Sequence, residues 1–118
     1  MFYQDVPYTQ SIQQEIALAK QGVELILSQN AQIESFGVIV WQNKVLVGVL
    51  PRPLYSRSQR DALETAIRSD INDVFGFDEI LVSFDMDILY EINKLNRNSN
   101  FKDENVSKLF NSVKIRRK

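Results

Sequence analysis

The chain reads as an α+β domain of order αββαβα, a three-stranded sheet covered on one face by two helices, with additional short helices at the C-terminus. Three observations predict this. Apolar residues recur at helical spacing on either side of a pair of β-branched runs, those runs are joined by a short Asn-containing turn, and a third strand enters a helix through the Ser-Phe-Asp-Met-Asp junction at residues 83–87. At 118 residues the chain has the size of one domain with a core of its own. Residues 1–10 read as a lead-in, 11–96 as the core domain, and 97–118 as a C-terminal extension with a short helix and a basic tail.

Ser11-Ile12-Gln13-Gln14 has the form of a capping box opening the first helix. Ile12, Ile16, Ala19, Val23, Ile26 and Leu27 give that helix one apolar face, and Asn30 is expected as its left-handed stop. Ser35–Trp41 and Val45–Leu50 read as strands joined by Gln42-Asn43-Lys44, with Asn43 supplying a positive φ. Gly37 and Gly48 inside these strands mark bulges or places where a helix approaches the backbone closely. Pro51 and Pro53 form the exit loop, because proline cannot donate to a central ladder. Ser56 or Ser58 then caps a second helix with the stripe Ala62, Leu63, Ala66, Ile67, Ile71, Val74 and Phe75, stopped at Gly76.

The third strand is Glu79–Phe84, with Ile80, Val82 and Phe84 on one face. Asp85 sits at the N-cap position of the next helix and Asp87 in its first turn, where carboxylates accept from unpaired amides and complement the dipole. Ile88, Leu89, Ile92 and Leu95 form its stripe, and Val106, Leu109, Phe110 and Val113 mark a last amphipathic turn. The expected sheet has the first strand central between the other two, which run parallel, with its second face partly open.

Composition narrows the chemistry. The chain is 44% hydrophobic and 25% charged, with no run long enough to span a bilayer. It has no cysteine and no histidine, so it offers no disulfide, thiolate or imidazole base. Residues 102–118 carry six Lys/Arg against Asp103 and Glu104; this tail is +4, and a net charge of −1 leaves −5 on the remainder. The tail end, Lys114 to Lys118, reads as a solvated segment able to meet phosphate or anionic lipid.

Asp85 and Asp87, with Asp78, Glu79 and Glu91 nearby, are the candidate cation site or acid/base pair, and helix capping accounts for them more simply. An enzymatic reading requires Asp85 or Asp87 to share a pocket with a lysine or serine. Ser56 and Ser83 lie outside any G-x-S-x-G elbow. Gly22, Gly37, Gly48 and Gly76 are isolated from one another, so neither a phosphate loop nor the G-x-x-G of a KH module is present. No catalytic, cofactor-binding or metal residue is assigned, and nucleic acid is not expected as a partner. Trp41, Tyr55 and Phe101 are the aromatics that would form a surface contact patch, with core burial the other reading for Trp41.

The segment LVSFDMD, residues 81–87, followed by a short amphipathic helix, resembles the YhcN/YlaJ-type sporulation lipoproteins of endospore-forming bacteria. The likeness extends by pattern over Ser11 to Phe110; Phe84 and Met86 stand where that family usually has a small residue and a proline. The helix-hairpin-helix-strand core also resembles the ring-building modules of sporulation proteins and the BON domain. The resemblance implies a non-enzymatic extracytoplasmic domain, acting by protein–protein contact or self-association in the spore envelope during sporulation or germination. It also implies a lipid anchor on a cysteine upstream of Met1, since residues 1–20 contain no export signal. The alternative is a soluble cytosolic binding module with a protein or small-molecule partner.

Overall fold

The computed structural model describes residues 8–53, 56–98 and 103–116, with side chains described over 15–53, 56–97 and 104–114. Its order is α1 (Tyr8–Ser28), β1 (Ile33–Trp41), β2 (Lys44–Pro51), α2 (Arg57–Asn72), β3 (Glu79–Ser83), α3 (Met86–Asn98) and α4 (Asp103–Arg116). The fold is α+β with a mixed three-stranded sheet and four helices, as the sequence predicts. Several boundaries move. Helix α1 begins at Tyr8, upstream of the Ser11 box, and the last amphipathic turn is the whole helix α4.

Strand order is β1-β2-β3, with β1 and β2 antiparallel and β2 and β3 parallel. The expectation that β1 is central is therefore corrected. The physical reason lies in β2 itself: residues 45–49 are all buried, whereas Glu34 and Ser35 of β1 are exposed. A strand with no polar side chain over Val45–Leu50 must be covered on both faces and flanked on both sides. The crossover through α2 then sets β3 beside the strand it left, the shortest way to close a βαβ unit.

The second face is also closed. On one face Val23 and Leu27 of α1 and Leu63, Ile67 and Ile71 of α2 pack on Val38, Val45, Val47, Val49 and Val82. On the other, Ile88 and Ile92 of α3 and Val106, Leu109, Phe110 and Val113 of α4 cover Ile39, Leu46 and Leu81. The period-two alternation of the strands thus feeds two cores rather than one. The C-terminal segment is part of the second. Lys114 meets Glu79 of β3 at 3.1 Å, and the ring of Phe110 lies 5.7 Å from that of Trp41.

The hairpin turn has two central residues, Gln42 at φ 51° and Asn43 at φ 56°, the left-handed pair that matches strand twist. The Asn43 carbonyl accepts from Asp78 N at 2.8 Å, which ties the turn to the start of β3 and holds Lys44 opposite Glu79. Asn30 and Gly76 are not left-handed stops, since neither has a positive φ. Asn30 instead accepts from Gln32 N through Oδ1 at 2.9 Å, and α2 closes at Asp73, whose N–H donates to Ile71 and Ser69 carbonyls. Pro51 is the last residue of β2, where it needs no inner ladder donor.

Candidate functional site

Of the carboxylates singled out in the sequence, Asp85 and Glu79 have partners within the fold. Asp85 caps α3: its Oδ1 accepts from Asp87 N at 2.9 Å and its carbonyl from Ile88 N and Leu89 N at 3.1 Å. Ser83 Oγ accepts from Asp85 N at 3.2 Å, so the serine shapes the strand-to-helix junction. Asp78, Asp87 and Glu91 are exposed, while Glu79 faces Lys114 across a 3.1 Å ion pair. Among the described residues no three acidic groups converge in a way that could hold a metal ion. Ser56 is the cap of α2, accepting from Gln59 N at 3.2 Å. Trp41 is half-buried against Phe110; Tyr55, Phe101 and the tail side chains beyond Lys114 lie outside the described residues.

A polar clamp guards one sheet edge. Lys20 Nζ on α1 donates to Asn96 Oδ1 on α3 at 3.1 Å, and Asn96 Nδ2 donates to the Val38 carbonyl of β1 at 3.2 Å. Since α1 and α3 lie on opposite faces, this chain of bonds passes around β1, the nine-residue edge strand. Long edges invite pairing with another chain, and an occupied carbonyl opposes it. Asn96→Leu leaves that carbonyl without its donor and is expected to cost about 1–3 kcal/mol. It should also make the protein associate as concentration rises; thermal melts and light scattering across a dilution series test both.

The feature that sequence reasoning missed lies at the start of α2. Leu50, Pro51, Arg52, Pro53, Ser56, Arg57, Arg60 and Phe84 line an open cleft of ≈ 540 Å³. The end of β2 supplies one wall, the first turn of α2 another, and the residue after β3 the floor. Arg52 is held at its root, its N–H donating to the Gln32 carbonyl and its Nε to the Ala31 carbonyl, both at 2.8 Å. The Arg60 guanidinium stands 5.9 Å above the Phe84 ring.

The charges of α2 run against its dipole. Its first turn has no acidic residue and its last no basic one; instead Arg57 and Arg60 stand at the positive end and Asp70 and Asp73 at the negative end. Each such misplaced charge forgoes or opposes about 0.3–1 kcal/mol. The two aspartates line a second open cleft with Ile26 and exposed Val74. The signal was present in sequence: a capping serine followed by basic residues where acidic ones are the rule.

Comparison of the chain with protein-family models, with curated proteins and with solved structures gives no match. Among the described residues no helix is long and apolar enough to cross a membrane.

Proposed function

We propose that this chain is a non-enzymatic contact domain that works by binding another protein. The observation that carries this reading is the arginine-lined cleft at the N-terminus of α2, on a helix whose charges are arranged at the expense of its own stability. Sequences that break a local rule without a compensating gain in folding do so most often where they bind something. Exposed apolar side chains on the outer helices, Leu18 and Leu25 on α1 and Met86 and Tyr90 on α3, are consistent with further contact area.

The setting comes from the resemblance at residues 81–87 to the YhcN/YlaJ-type lipoproteins: an anchored domain outside the cytoplasmic membrane, acting in the spore envelope during sporulation or germination. The test is made in the native host. The tagged protein is followed through sporulation by membrane fractionation, lipid labelling and cross-linking in the cell. A lipid-labelled, membrane-bound protein cross-linked to a reproducible partner supports the proposal. Recovery as an unmodified cytosolic protein removes the envelope setting and leaves the soluble binding module; absence of any cross-linked partner removes the contact function.

A further inference from the structure

We infer that the cleft between the end of β2 and the start of α2 binds an acidic, extended peptide segment of a partner protein. Its carboxylates would meet Arg52, Arg57 and Arg60, and an apolar side chain between them would lie on Leu50 and Phe84. The inference rests on the contact-domain reading and gives the partner its chemistry.

Four observations converge on it. Among the described residues three arginines line the cleft and no acidic residue does, on a chain whose first 101 residues carry −5. The ion pairs of the described residues are Arg68–Glu64, Lys108–Glu104 and Lys114–Glu79, so none of the three is neutralised in that way. The α2 amide dipoles add to the same positive potential, with no acidic residue in the first turn to offset them. The cleft also has an apolar side, made by Leu50, Pro51, Pro53 and Phe84, which an inorganic anion would leave exposed.

These features select among anionic partners. Guanidinium forks match carboxylates in bidentate fashion, and the bond from Arg52 Nε to the Ala31 carbonyl holds that side chain in place at the cleft. At ≈ 540 Å³ the cleft has room for both charged and apolar side chains. An anionic bilayer would instead meet a body whose first 101 residues carry −5, which opposes its approach.

The probe is a fluorescein-labelled peptide, Glu-Glu-Leu-Glu-Glu-Phe-Glu, titrated with the full chain and read by anisotropy, beside a version with lysine for glutamate. Saturable binding of the acidic peptide alone is expected, weakening as salt shortens the reach of the charges. Arg57→Glu combined with Arg60→Glu should reduce affinity by roughly tenfold or more, the scale of a lost charge-assisted bond. Lys94→Glu with Lys108→Glu, an equal change of net charge at exposed sites, should leave it within about twofold. The arginine variant is expected to fold, because acidic residues at that helix end agree with the dipole, so its melting temperature should hold or rise.

Equal loss in both double variants, no peptide binding, or binding to phosphatidylglycerol vesicles in place of the peptide would each overturn the inference. Each would remove the cleft as support for the contact-domain reading, which is tested separately by the cross-linking in the native host.

Discussion

A chain ending at Asn98 should lose its cooperative fold. Val106, Leu109, Phe110 and Val113 of α4 are buried at 1, 8, 2 and 1% exposure against Ile39, Leu46, Leu81, Ile88 and Ile92. Burial of such side chains is worth about 1.5–3 kcal/mol each. Even after the entropy of ordering the helix is set against this, the loss is comparable with the ~5–15 kcal/mol by which domains of this size are stable. The damage extends beyond α4, because its departure uncovers Leu81 on an edge strand and one side of Trp41. The truncated protein should bind a hydrophobic dye and show no sharp thermal transition. A cooperative melt within a few degrees of the full chain would mean that α4 is an appendage and that the second core stands on α3 alone.

The elements themselves were largely legible. Leu63, Ile67 and Ile71 of α2 and Ile88, Leu89 and Ile92 of α3 are buried where the helical period puts them, and Asn43 adopts the positive φ expected of the turn. The capping role of Asp85 was also readable, because it depends on residues two to four positions away. What the sequence hid is set by contacts between distant segments. The order of the sheet depends on where the α2 crossover lands, and the only local clue was the unbroken apolar run of β2. The β1 clamp joins residues 58 and 76 positions apart, which no periodicity reports. The arginine cleft likewise needs β2, α2 and Phe84 brought together; in sequence its parts read as an exit loop and a cap.

The reversed charges of α2 connect stability to function. Exchanging Arg57 and Arg60 for acidic residues is expected to favour the helix while removing the cationic wall of the cleft. A domain selected for stability alone would place its charges the other way, as α3 does with Asp87 in its first turn and Arg97 in its last. The contrast between two helices of one fold locates the exception at the cleft.

Gly48→Leu should be among the most damaging single substitutions in the protein. Gly37 and Gly48 face one another across the β1–β2 ladder, and both lie beneath α3. A Cβ on Gly48 would stand 3.0 Å from Leu89 Cα and from Ile92 Cδ1; one on Gly37 would stand 2.7 Å from Asn93 Oδ1 and 2.8 Å from Ile92 Cγ2. The obstacle at Gly48 includes helix backbone, which no rotamer change relieves, so α3 must lift from the sheet. Overpacking of this kind costs about 1–3 kcal/mol and occasionally more, with leucine at the upper end and alanine at the lower. Gly76→Ala supplies the contrast, because a Cβ there meets nothing within 4 Å and its φ is not positive. That change should be neutral or stabilise by about 0.4–1 kcal/mol through the unfolded chain. Chemical denaturation of both variants decides the matter: equal stabilities would show that α3 does not ride on a glycine floor and that the second core tolerates a wider gap than the structure gives it.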